Sequence, residues 1–241
     1  MKRIHPVVKP VALACLCLLF SSCAPERPAL ARSGILQPGA TLQVANRDGD
    51  INAYAPERHG AQDRYSVEAF GPFAGAVTFA AQPLLVRASA SAPGVRFLLR
   101  APKGTALDLR TIRGNISVAD YAGIVNAQTG AGDIKMLIPR YGNAATGKGN
   151  ISVYFASTDW PGTLRFTAAD GNVEVYVNEN AKARIRMHTD DGTVFSDFNI
   201  TGTSSGSSET IDAPVNGGGP RSIDVEVHRG SIRVMQLKPQ I

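Results

Sequence analysis

The sequence predicts an all-β, single-domain β-solenoid, made of stacked strand-turn-strand repeats with an N-terminal β-sheet portion. Three observations carry the prediction. A glycine, a small polar residue and an aliphatic residue recur as Gly49-Asp50-Ile51, Gly114-Asn115-Ile116, Gly132-Asp133-Ile134, Gly149-Asn150-Ile151, Gly171-Asn172-Val173, Gly192-Thr193-Val194 and Gly230-Ser231-Ile232. Alternating apolar and polar residues lead up to these glycines, as in LDLRTIRG, IVNAQTGAG, LRFTAADG, ARIRMHTDDG and SIDVEVHRG, which is the pattern of half-buried strands. Beyond the first 22 residues, no stretch of ten places apolar residues at the i, i+3, i+4, i+7 spacing of a helix.

Taken in order, the chain starts with a targeting segment. Lys2, Arg3 and Lys9 precede ten uninterrupted apolar residues, Val11 to Phe20. A bilayer-spanning helix needs about 20 such residues, whereas a basic start, a short apolar run and small residues before a break make a signal peptide. Leu19-Phe20-Ser21-Ser22-Cys23, followed by Ala24-Pro25-Glu26, resembles a bacterial lipobox. That resemblance implies diacylglycerol on Cys23, cleavage after residue 22 and, with Ala24 next, onward sorting to an outer membrane. Cys15 and Cys17 leave with the signal, so Cys23 is the one thiol of the mature chain and no internal disulfide is possible. Residues 23–33 are expected to be a tether and 34–241 the domain.

Residues 55–105 hold longer strands (RYSVEAF, GAVTFAA, LLVRASA, VRFLLRAP) broken at Pro83, Pro93 and Pro102, and these are the N-terminal sheet portion. From Gly114 the glycines then follow at intervals of 18, 17, 22 and 21 residues, with a last interval of 38, about two periods. Thr111, Thr129, Thr146 and Thr189 each stand three residues before a glycine. One unit cannot bury its apolar face alone, but units stacked about 4.8 Å apart can. The inward positions are then Ile116, Val118, Ile134, Met136, Ile151, Val153, Val173, Val175 and their upstream partners. Residues 202–221, rich in Gly and Ser, read as a flexible loop returning to a closing strand pair at 222–237.

VRFLLRAPKGTALDLRTIRGNISV, the repeated x-T-x-x-G-[ND]-I-x-V units, and NGGG followed by SIDVEVHRGSIRV resemble the bacterial adhesin-like family with β-strand repeats, an envelope domain family of unknown function. The resemblance spans roughly residues 41–237 and brings no catalytic residues with it.

Composition narrows the function classes. The formal net charge is +5, but residues 1–22 carry three basic and no acidic side chains, which leaves 22 basic against 20 acidic and a charge of +2. Outward positions such as Lys135, Glu174 and Arg233 mix signs, so no basic footprint for nucleic acid is expected. His59, His188 and His228 are far apart in sequence, and no cofactor or metal is expected. Asp50 and Asp133 lack the Gly-Gly-x-Gly-x-Asp nonapeptide of calcium-binding solenoids. Asp170 and Asp191 each precede a glycine one repeat apart, with Asp190 beside the second. Stacked on adjacent coils they would suit glycosidic acid/base work.

The fifth residue after the glycine faces outward if the second and fourth face inward, yet it reads Tyr54, Leu137, Tyr154, Tyr176 and Met235. Leu137, Tyr154 and Tyr176 fall in consecutive units and form a candidate partner surface. The leading expectation is a non-enzymatic protein, lipid-anchored at Cys23 in the cell envelope, that presents a rigid β surface for adhesion or envelope assembly. An envelope glycan or a surface protein is the expected partner, besides the membrane. The alternative is a carbohydrate-binding or polysaccharide-cleaving envelope protein using Asp170 and Asp191, and a third class is a periplasmic sensor or accessory subunit.

Overall fold

The computed structural model describes residues 26–56, 63–138 and 140–237. The described strands form two sheets, a ten-stranded front sheet and an eleven-stranded back sheet, whose inner faces enclose one core. Each repeat supplies one strand to the back sheet, turns at its corner, and supplies the next strand to the front sheet. Like coils then pair in parallel, residue against equivalent residue, as in Ile134↔Ile151 and Val125↔Gly142.

Numbered by position in the stack, coil 1 is Leu85–Ala90 with Arg96–Arg100, coil 2 is Thr41–Asp48 with Ile51–Tyr54, and coil 3 is Ala106–Arg113 with Ile116–Ala119. Coil 4 is Ile124–Ala131 with Ile134–Ile138, coil 5 is Tyr141–Lys148 with Ile151–Phe155, and coil 6 is Thr163–Asp170 with Val173–Asn178. Coil 7 is Ser222–Arg229 with Ile232–Leu237, and coil 8 is Ala183–Asp191 with Val194–Ser196.

The β-solenoid expectation holds, and two details change. The strand pair at 222–237 does not close the stack: it lies between coils 6 and 8, pairing with both. Residues 85–100 form a complete coil outside coil 2, although they come later in the chain. Its corner, residues 91–95, carries no Gly-Asx signature.

The corner glycines are required by packing as well as by backbone angle. Gly149 has φ of +136°, and a Cβ there would lie 2.2 Å from the carbonyl oxygen of Gly132 in the coil below. The same close approach recurs along the corner, so each coil rests on the bare backbone of its neighbour. Two side-chain ladders reinforce it. The Oγ1 hydroxyls of Thr111, Thr129, Thr146 and Thr189 donate to the carbonyls of Gly49, Gly114, Gly132 and Gly230, each one coil away, at 2.9–3.2 Å. Asp50, Asn115, Asp133, Asn150 and Asn172 each accept, through a side-chain oxygen, the backbone N–H of the next residue in the series, ending on Ser231. Asp50 and Asp133 are thus members of a corner ladder.

Inside, Ile116, Val118, Ile134, Met136, Ile151, Val153, Val173 and Val175 are all fully buried, as their alternation predicts. Each such side chain stabilises the fold by about 1.5–3 kcal/mol.

The stack is capped at both ends by antiparallel strands. Arg64–Phe70 and Leu30–Ile35 extend the front sheet beyond coil 1, and Thr78–Gln82 extends the back sheet. Residues 30–33, expected in the tether, therefore belong to a strand, and Glu26 pairs with Arg96 at 2.6 Å. At the other end, residues 202–221 are not a loop throughout. Ser208–Val215 pairs antiparallel with coil 8, and Thr203–Ser205 pairs with Ser208–Val215. Phe198 and Ile200 pack on the core there, and the Glu209 carboxylate accepts the Val194 N–H of the short edge strand at 2.8 Å.

Candidate interaction surface

On the outer face of the front sheet, the third and fifth residues after each corner glycine form two rows along the stack. The third-residue row runs Ser117, Lys135, Ser152, Glu174 and Arg233 from coil 3 to coil 7, and the fifth-residue row runs Ala119, Leu137, Tyr154, Tyr176 and Met235. Parallel pairing in register fixes this arrangement, because every strand repeats the same inside-outside alternation. Leu137 is 43% exposed and Tyr54, on coil 2, is 39% exposed, while Tyr154 and Tyr176 are half-buried.

The two tyrosine rings stack in parallel, with centroids 4.6 Å apart and planes 1° from parallel. Their separation matches the coil spacing, so the ring normals run along the stack. One face of each ring is covered by the other ring, register places Leu137 and Met235 beside the two outer faces, and the surface presents ring edges and hydroxyls. Burial, then the nearby Glu174 and Tyr154, push the Tyr176 hydroxyl above its ordinary pKa. Tyr176 Oη lies 3.5 Å from Glu174 Oε2. The sequence-predicted surface of Leu137, Tyr154 and Tyr176 is thus brought together as one row and continued by Met235.

The carboxylate pair is not brought together. Arg229 of coil 7 lies in register between Asp170 and Asp191 and pairs with Asp170 at 3.2 Å. The aspartates stand two coils apart, about 10 Å along the stack, with a guanidinium between them. The adjacent-coil geometry behind the enzymatic alternative is therefore absent, and the cause is the insertion of coil 7.

The histidines depart from sequence separation in the opposite sense. His188 Nε2 lies 3.0 Å from Asp190 Oδ1, and His228 Nδ1 lies 2.7 Å from Asp190 Oδ2. Hydrogen bonds from His228 and then His188 hold the Asp190 carboxyl below its ordinary value. Both facing nitrogens are engaged by the carboxylate, and among the described residues no group of three or more His, Cys, Asp or Glu could hold a metal ion. Cys23 and His59 lie outside the described residues. Among the described residues, no helix is long and apolar enough to cross a membrane.

A cleft of about 680 Å³, unforeseen in the sequence reading, lies at the corner opposite the glycine stack. Gly104, Gly123 and Gly162 line it, with Tyr141, Arg140 and Arg221. Most of its polar groups are used within the chain. Arg221 pairs with Asp159 and donates to the Trp160 carbonyl at 3.1 Å, and Tyr141 donates to the Thr163 carbonyl at 2.9 Å. Trp160 packs edge-on against Phe155, so its ring belongs to the core. The only sequence signals were the turn runs Trp160-Pro161-Gly162 and Gly219-Pro220-Arg221.

Residues 99–235, more than half of the chain, match the family model Toastrack DUF4097. The chain belongs to the Toastrack DUF4097 family. It is a family of unknown function, and the stacked coils are the repeat architecture of this Toastrack protein. Solved structures similar to it include a candidate cell adhesion protein from Clostridium sporogenes, at 12% identity and a TM-score of 0.40, covering 88% of this chain and all of that one. A candidate adhesin from Bacteroides fragilis is 11% identical with a TM-score of 0.38, covering 86% of this chain and 96% of that one. No curated protein matches the chain.

Proposed function

We propose that this Toastrack protein is a non-enzymatic cell-envelope protein, anchored through lipid on Cys23 in the outer membrane, whose front sheet is a rigid contact surface for adhesion or envelope assembly. The observation that carries the contact role is the unbroken row Leu137-Tyr154-Tyr176-Met235 on the outside of a continuous sheet. Aromatic and aliphatic side chains aligned on a flat face supply contact area at low entropic cost. With the tyrosine faces stacked on one another, sugar rings find edges where a stacking platform needs faces, so the surface suits a protein partner. The anchor rests on the signal-like segment and lipobox of residues 11–26, and the acyl chains would hold through buried methylenes.

The test is cross-linking and affinity capture from native envelopes. The wild-type chain is compared with a Tyr154→Ser/Tyr176→Ser variant and with Cys23→Ala, which controls for placement. Loss of captured partners in the tyrosine variant, with an unchanged melting temperature, supports the reading; identical capture by both chains sinks it. Metabolic labelling with a fatty acid reads the anchor directly, and incorporation that survives Cys23→Ala overturns that part.

A further inference from the structure

We propose that the occupant of this surface is a second copy of the chain, docked face to face about a twofold axis that runs along the strand direction through coil 5. The proposal rests on the reading that the Leu137-Tyr154-Tyr176 row is a contact surface, and it names the partner. A twofold in the interface plane reverses the order of coils while keeping each row opposite itself, as in any isologous contact. Lys135 of coil 4 then faces Glu174 of coil 6 in the second copy, and the pair occurs twice. Tyr154 meets Tyr154, Leu137 meets Tyr176, Ala119 meets Met235, and Ser117 meets Arg233.

No like charges oppose one another between coils 3 and 7 in this register. Three of the four neighbouring registers fail electrostatically, and the fourth, with the axis between coils 4 and 5, sets Lys135 against Ser152 and Glu174 against Ser117, so that neither charge gains an opposite partner. Moving the axis to coil 4 sets Lys135 against Lys135, moving it to coil 6 sets Glu174 against Glu174, and placing it between coils 5 and 6 sets Lys135 against Arg233. Like-charge juxtaposition is what selects register at such interfaces. Lys135 is also exposed and makes no hydrogen bond or ion pair among the described residues, so it is available to the second copy.

Coils 2 to 8 span about 34 Å along the stack, and the front strands about 17 Å across it. That gives roughly 600 Å² per copy, below the roughly 800 Å² per partner of stable complexes. The dimer is therefore weak in dilute solution, and tethering both copies to one membrane strengthens it by raising their effective concentration.

A thiol on the axis provides the test. In the full chain carrying Cys15→Ser, Cys17→Ser and Cys23→Ser, an added Ser152→Cys faces its own copy across the twofold. An added Ser117→Cys would lie about 19 Å from its symmetry mate, four coils away. Mild oxidation is expected to link the first and leave the second monomeric, and equal yields overturn the register. Sedimentation of the same background over rising concentration is expected to show Lys135→Glu and Glu174→Lys each weakening association by roughly tenfold or more, with the double reversal restoring it to within about threefold. A chain that stays monomeric throughout, while Tyr154→Ser/Tyr176→Ser abolishes capture from envelopes, overturns self-association and leaves the contact-surface reading standing. Monomeric behaviour with unchanged capture sinks both.

Discussion

Coils 3 to 6 and the coils at the two ends use the same strand-corner-strand unit but are threaded differently. In the middle, each coil follows the last in both sequence and space, through the connections at 120–123, 139–140 and 156–162. At the ends the chain leaves the parallel stack for an antiparallel excursion, at 55–84 and again at 197–221, and returns on a different side. Coil 2 ends up between coils 1 and 3, and coil 7 between coils 6 and 8. The difference separates two kinds of information. The glycine corner, the threonine hydroxyl and the Asx ladder specify the shape of one coil and its spacing from a neighbour; which coil becomes that neighbour is decided by where the antiparallel excursions return the chain, since the connections 101–105 and 179–182 each pass a coil in only five and four residues.

The sharpest way to break the comparison is by deletion. Truncation after Arg221 removes coil 7 and takes one partner from both coils 6 and 8. It also deletes Ile223, Val225, Val227, Ile232 and Val234 from the core. At about 1.5–3 kcal/mol each, their loss rivals the whole stability of a domain, about 5–15 kcal/mol, and cooperative unfolding by circular dichroism should vanish. Removing residues 124–140 excises coil 4 cleanly, since Ala106 and Tyr141 both stand in register with Ile124. That shorter chain should still melt cooperatively, at a lower temperature.

Next in size come the glycines. Gly149→Ala drives a Cβ into the Gly132 carbonyl at a positive φ, and denaturant titration should show a loss of about 3 kcal/mol or more. Gly206 also has a positive φ but no atom within 4 Å of its would-be Cβ, so Gly206→Ala should cost about 1 kcal/mol.

The hydroxyl ladder is a smaller lever. Thr146→Val removes the 3.0 Å bond to the Gly132 carbonyl and should cost about 1–2 kcal/mol. In coil 2 the equivalent residue is Asn46, whose Nδ2 reaches the Val95 carbonyl at 2.6 Å while its buried Oδ1 has no partner. Asn46→Thr restores the rule of the middle coils and should raise stability by about 1 kcal/mol in the same titration.

The smallest effect is electrostatic. Asp190 titrates below the ordinary value of 3.8 because His228 and His188 hydrogen-bond its carboxylate. Its contribution is therefore complete above that value and is lost as pH falls through the lower folded one. Carbon-13 titration of the carboxyl should show the depressed midpoint, and His188→Gln with His228→Gln should return it toward 3.8.

These contrasts explain what the sequence disclosed. Periodicity and corner chemistry are local, so seven corners, the core alternation and the Leu137-Tyr154-Tyr176 row could be read directly. The remaining coil was hidden because Pro93-Gly94 makes its turn without the signature. Asp170 and Asp191 looked like neighbours because one repeat separates them in the chain, but the threading interposes Arg229. The same threading joins His228 to Asp190 across 38 residues. The cleft combines loops from five coils, and no single segment encodes it.

The position of coil 7 also sets the order in which the molecule can be completed. Synthesis runs from the N-terminus, so coils 6 and 8 emerge before the strands that must lie between them. Until Ser222 to Leu237 appear, the edges at Phe166 and Met187 face a vacancy one coil wide, and coils 1–6 cannot lock to coil 8. The strands of coil 7 are the keystone of the stack, and a copy stalled or clipped before them is left with an open seam between coils 6 and 8.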